Sequence, residues 1–241
     1  MVMPGQFLER PTLVESGGFC LEGLWHRGQK TPALLILSPH PAFGGGSMDF
    51  PLSLEIAWAA TRRGHATLRF NWRGVGASQG TAGGLDAAIE DAERALRLLQ
   101  ENVSHGQIAV AGIAFGAEAA CQLALRHSEL TGILLAAPSR ETLLRTVVDS
   151  APSLMTKVCV FLPGRDASDS QQAQLAGRLR HSGVELDIVP EANSACSEGL
   201  VQMGEAIAAR LDDLAGDGGQ VSADVTKTFE GASGQGEDAF G

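Results

Sequence analysis

The chain has 241 residues, 44% hydrophobic and 19% charged, with a formal net charge of −10. That length suits one α/β domain with a full core, and no apolar run approaches the ~20 residues that a membrane span requires. The acidic balance argues against nucleic acid as a partner, because a phosphate backbone is held through clustered Lys and Arg.

Residues 1–13 contain Arg10 and no apolar core ahead of a small-residue cleavage site, so no secretory leader is expected and a cytoplasmic location follows. Four cysteines, Cys20, Cys121, Cys159 and Cys196, lack pair spacing, as in a reducing compartment. No metal site and no cofactor are expected.

Residues 12–15 and 19–25 flank Ser16-Gly17-Gly18 and read as an antiparallel hairpin at a sheet edge. Residues 33–37 are continuously apolar, the mark of a strand buried on both faces. Asp49 stands before Phe50 and Pro51 as a helix cap, and Leu52, Ile56 and Ala59 give a helical face that stops at Gly64. Residues 66–70 form the next strand. Leu85, Ala88, Ile89, Ala92, Leu96 and Leu99 then share one helical face, with Glu90, Asp91, Glu93, Arg94 and Arg97 mostly on the other.

Further on, residues 132–136, 157–162 and 184–189 read as strands and 141–148 and 171–180 as helices. Leu200, Met203, Ile207, Leu211 and Leu214 mark a closing helix. Strands alternating with helices imply a mostly parallel sheet covered on both faces. The basic clusters Arg62-Arg63 and Arg178-Arg180-His181 fall at predicted helix ends, where cations offset the negative pole. The domain is expected to span residues 1–214. Residues 215–241 are glycine-rich and lack periodicity, which suits a disordered or partner-bound tail whose apolar residues, Phe229 and Phe240 among them, could form a docking motif.

The informative stretch is residues 108–120. A short apolar strand enters Gly112-Ile113-Ala114-Phe115-Gly116 and continues as an Ala-rich helix, the strand, turn and helix of a nucleophile elbow. Gly112 and Gly116 suit a turn in which strand and helix approach too closely for side chains. The apex carries Ala114, where a hydrolase of this build carries serine.

Two more stretches accompany the elbow: Ser38-Pro39-His40-Pro41-Ala42-Phe43-Gly44-Gly45, and Asn71-Trp72-Arg73-Gly74-Val75-Gly76-Ala77-Ser78. Together, in this order and spacing, they resemble the compact, nearly cap-less group of the α/β-hydrolase superfamily, over about residues 10 to 214. The resemblance implies a twisted sheet of about eight strands, little or no cap, and a site at the strands' carboxyl ends. It places a triad acid at Asp166, a residue that reads equally as a turn residue capping the next helix, and a histidine where this chain has Ser194. The nucleophile and base positions are thus both altered.

No other histidine offers a clear substitute. His65, His105 and His181 precede strands, so they belong about 15–25 Å away at the opposite end of the sheet. His127 ends the helix after the elbow, and His26 closes the edge hairpin. His40 belongs at the right end, where the resemblance makes it a shaper of the oxyanion loop. Cys121, two helical turns past Ala114, suits core packing, and Cys196 lacks a basic neighbour. The backbone N–H of Phe115 and one near Ala42 could still cradle a small anionic ligand. Ser78 and Gln79 read as turn residues, since their loop fits neither phosphate-binding glycine pattern.

The expectation is therefore a pseudoenzyme on a hydrolase framework, binding a protein partner as scaffold or accessory subunit, or sensing a small ligand. The alternative is an esterase or acyl hydrolase with a substituted nucleophile or base, drawing on Cys196 or His40. An acyl-transfer or lyase relative is a third reading.

Overall fold

A computed structural model describes residues 8–41, 45–103, 107–139, 147, 156–165, 177–179, 182–195 and 197–215. The edge hairpin is β1 (Glu9–Ser16) and β2 (Phe19–His26), turned by Gly17 and Gly18, both at positive φ. β3 (Lys30–Leu37), β4 (His65–Phe70), β5 (Ile108–Ile113), β6 (Gly132–Ala136), β7 (Lys157–Pro163) and β8 (Glu185–Val189) complete one sheet. Its order is β1-β2-β4-β3-β5-β6-β7-β8, antiparallel from β1 to β4 and parallel from β4 onward. Every residue of β4, β5 and β6 is buried, as expected for strands covered on both faces.

Four helices cover it among the described residues. α1 (Pro51–Arg62) and α4 (Leu200–Leu214) lie on one face, where Leu52, Ile56, Ile207 and Leu211 meet Leu34 and Ile36. α2 (Leu85–Asn102) and α3 (Phe115–Arg126) lie on the other, where Ala92, Leu96, Ala120 and Leu123 meet Leu35 and Val110. The chain leaves β3 over one face to reach β4, then crosses the other face to β5. That reversal opens a crevice at the carboxyl ends of β3 and β5, the place where open α/β sheets present a site.

Two sequence expectations need correction, and a third gains a further role. Asp49 caps nothing: the residue flanking α1 is Phe50, with no side-chain cap bond, and the Asp49 carboxylate accepts from Arg69 Nη1 at 2.8 Å. Buried Arg69 attracts it more strongly than exposed helix amides can. Asp91 lies on the buried face of α2, where Arg73 and Ser16 meet it. Arg62 and Arg63 tie α1 to α4 through Glu205 and Asp212, so they act as side-chain bridges beyond any effect on the helix pole. The predicted helix at 141–148 lies outside the described residues apart from buried Val147, and most of that at 171–180 likewise.

Candidate active site

The elbow stands at the β5–α3 junction. Ala114 adopts φ 51° and ψ −107°, a backbone conformation that a side chain occupies at a cost. Its N–H donates to the Ala136 carbonyl at 3.0 Å, and its carbonyl accepts from Ala117 N–H at 3.1 Å. The glycines either side are sterically required. A Cβ on Gly112 would sit 2.6 Å from Ala117 Cα, and one on Gly116 would sit 2.7 Å from the Leu37 carbonyl carbon and 2.8 Å from the Ser38 oxygen. α3 therefore starts against both its own strand and the end of β3.

The residues leaving β4 hold the opposite wall. Asn71 Oδ1 accepts from Met48 N–H at 2.8 Å, and Trp72 Nε1 donates to the Ser38 and Pro39 carbonyls, both at 3.2 Å. Consecutive side chains thus fasten both ends of the loop after β3. Gly46 lets that loop close, since a Cβ there would lie 2.6 Å from the Pro39 carbonyl carbon. Next along, Arg73 donates through Nε at 2.9 Å and Nη2 at 2.7 Å to Asp91 Oδ1, while its N–H reaches Oδ2 at 3.0 Å. This carboxylate bond holds the Arg73 proton more firmly than usual, against the opposing effect of burial. Glu22 Oε2 accepts from Asn71 Nδ2 and Ala77 N–H, both at 2.9 Å. Ser78 Oγ donates to the Asn71 carbonyl at 2.8 Å, and Gln79 Oε1 accepts from Cys20 N–H at 2.9 Å. The glycine-rich loop after β4 is accordingly an anchored turn.

His40 and Phe115 face each other across the crevice. Their rings meet edge-on with centroids 4.7 Å apart, and Trp72 stands 6.2 Å from Phe115. His40 Nε2 lies 3.4 Å from the Gly83 carbonyl. The cavity among His40, Trp72, Arg73, Gly83, Asp91 and Phe115 offers about 10 Å³, room for about one water.

Ser194 follows β8 at the same end of the sheet as Ala114, exposed in a loop that Asn193 Oδ1 organises by accepting from Ser197 and Glu198 N–H. Three strand positions separate the two, about 14 Å at ordinary spacing. Asp166, Ala42 and Cys196 lie outside the described residues. His65 is engaged at the far end of the sheet by the Pro32 carbonyl and Asp212, both at 2.9 Å. His26 meets Thr67 at 3.1 Å and His127 meets Glu129 at 3.0 Å. His105 and His181 lie outside the described residues. Cys121 is buried in the α3 core, where burial, with Glu118 adding to it, pushes its thiol up to about 12. Such a thiol is inert near neutral pH. Among the described residues no cluster of His, Cys, Asp or Glu could hold a metal, and no helix is long and apolar enough to cross a membrane.

Sequence reasoning missed the supporting roles of Glu22, Trp72 and Asp91. Asp91 had a signal: it sits three residues after Ala88 and one before Ala92, inside the buried stripe.

Residues 50–182, more than half of the chain, match the family described as serine aminopeptidase, S33. The chain belongs to that family. Its fold is that of the α/β hydrolases, and solved structures agree. A protein of unknown function from Agrobacterium tumefaciens, described as an α/β hydrolase, is 26% identical with a TM-score of 0.69, covering 85% of this chain and 94% of that one. An α/β serine hydrolase homologue from Coxiella burnetii gives 22%, 0.72, 88% and 99%. A lidless α/β serine hydrolase from Xanthomonas campestris gives 16%, 0.69, 88% and 97%. Uncharacterized protein RP471 of Rickettsia prowazekii is 34% identical over 113 residues, 46% of this chain and 47% of that protein. The S33 chain thus spans about half the length of this curated relative.

Proposed function

We propose that this S33-family protein is a pseudoenzyme that works by binding a protein partner, as a scaffold or accessory subunit. One observation carries the reading: the apex of the elbow, in a nucleophile's backbone geometry, bears the methyl of Ala114. A methyl has no lone pair with which to attack a carbonyl, so acyl transfer from this position cannot begin.

The second altered position supports the same conclusion. Ser194 stands where the resemblance places the general base, and a hydroxyl does not accept a proton near neutral pH. With these two changes, Asp166 would have no imidazole to orient. Residues 1–214 form the binding domain and 215–241 a separate appendage in this reading.

The test is turnover of short p-nitrophenyl esters by the purified full-length chain, beside Cys196→Ser and His40→Ala. The expected result is no hydrolysis above buffer in any of the three. Turnover by the parent chain that either substitution abolishes would overturn the proposal.

A further inference from the structure

The sheet ends in two edge strands, and they differ. In the β1–β2 hairpin the closing pair Ser16–Phe19 brackets a two-residue turn, which makes it a hydrogen-bonded pair and turns every second residue back from Ser16 toward β2. Pro11 therefore falls in the outer row of β1 and removes a donor from it, which blunts that edge. β8 has no proline in its outer row. The Val189 carbonyl accepts from Gly164 N–H at 2.9 Å, so Glu185, Asp187 and Val189 turn their backbone groups to β7, and Leu186 and Ile188 turn theirs outward. Among the described residues no strand pairs with that outer row, and Ile188 is 41% exposed.

Charge decides what can occupy it. On the α4 face of this edge, Glu185 and Asp187 meet Arg210 at 2.8 and 2.9 Å, and Asp213 lies 3.5 Å from the same guanidinium. Exposed Lys157, two residues before Cys159 on that face, still leaves the carboxylates in excess. The Glu185 and Asp187 side chains are 49% and 38% exposed, open to further cations. A second copy of the chain fits poorly. Two-fold antiparallel pairing centred on Glu185 or Asp187 sets that carboxylate opposite its own copy, and pairing centred on Leu186 sets Glu185 opposite Asp187, in each case a destabilising pair. Centred on Ile188, it sets Leu186 opposite Pro190, which has no N–H to give.

We propose that β8 is a docking edge for an extended segment of a partner protein that carries basic residues at alternate positions. Such a segment adds as a further strand. Its backbone bonds to Leu186 and Ile188, its apolar residues lie beside those two side chains, and its Lys or Arg residues face Glu185 and Asp187. The proposal rests on the reading of this chain as a protein-binding subunit and gives that partner its chemistry.

The probe is a short capped peptide alternating lysine and valine, compared with one alternating glutamate and valine. Each is titrated against the full-length chain by fluorescence anisotropy, and the exchange of the Leu186 and Ile188 amides is followed by NMR. The lysine peptide is expected to bind about tenfold more tightly at low salt, an advantage that shrinks as salt rises, and to slow both amides about tenfold. Ile188→Pro should weaken its binding about tenfold, because residue 188 turns its N–H away from β7 and proline there removes only the outer donor. Equal binding of the two peptides, unchanged exchange at both amides in the parent, or full affinity in folded Ile188→Pro overturns the proposal. So does slowing that needs no peptide and grows with protein concentration alongside a dimer in sedimentation, which would assign the edge to a second copy. Ester turnover would sink the pseudoenzyme reading without altering either amide, so the two failures are distinct.

Discussion

Replacing Gly116 by alanine tests whether α3 is as tightly seated as the elbow requires. The new Cβ would lie 2.7 Å from the Leu37 carbonyl carbon and 2.8 Å from the Ser38 oxygen. Both neighbours are backbone at the end of a buried central strand, so no rotamer change relieves the clash. Inserting a group into such packing costs about 1–3 kcal/mol. If α3 withdraws, gaps open beside buried Ala117, Ala120 and Leu123, and about 50 Å³ of new cavity adds roughly 1 kcal/mol at ~24 cal/mol per Å³. The total is about 3 kcal/mol, or a fall in Tm of about 6–12 °C for a chain of this size. Thermal and urea unfolding followed by circular dichroism measure it. Gly84→Ser is the control, because a Cβ at Gly84 meets nothing within 4 Å and the hydroxyl can cap α2. A Tm for Gly116→Ala within about 2 °C of that control would refute the close approach.

Three further outcomes are expected. Ala114→Gly relieves about 1–2 kcal/mol of backbone strain against ~0.4–1 kcal/mol of added unfolded-state entropy, so it should stabilise by roughly 0.5 kcal/mol in urea titrations; a loss would show that Ala114 is unstrained. Asp91→Ala removes the buried partner of Arg73 and leaves it only exposed Glu90, so it should cost about 3 kcal/mol, whereas Glu90→Ala should change stability by about 0.5 kcal/mol at most. Burial would raise the Asp212 carboxyl, but bonds from His65, Arg63 and Lys30 outweigh it and hold it at about 2, below the ordinary 3.8. The unfolded chain then binds the proton first, so this stabilisation is complete above about pH 4 and is lost as pH falls toward 2. Asp212→Asn should therefore cost on the order of 1 kcal/mol at pH 7, after solvent screening, and the difference from the parent should narrow near pH 2.

Much of the frame was legible in local pattern. β6 and α4 match the apolar run at 132–136 and the periodic stripe at 200–214, because burial on one or two faces writes directly into spacing. The two elbow glycines were legible for a related reason: nothing larger fits. The long-range polar links were not. Asp49 beside a helix start looks like a cap until Arg69, 20 residues away, is known to lie against it. Asp91 looks like a solvent residue because of its charge, although its spacing puts it inside. Asn71, Trp72 and Arg73 belonged to a recognisable motif, but only the three-dimensional arrangement gives each a separate job, fastening residue 48, residues 38 and 39, and α2.

The proposed loss of the reaction centre is tested most directly by fluorophosphonate labelling of Ala114→Ser, compared with Ala114→Ser combined with Ser194→His. A serine restored without its base should remain unlabelled, and the double substitution should regain at most a trace. Strong labelling of Ala114→Ser alone would reveal a working base at the elbow and contradict the pseudoenzyme reading.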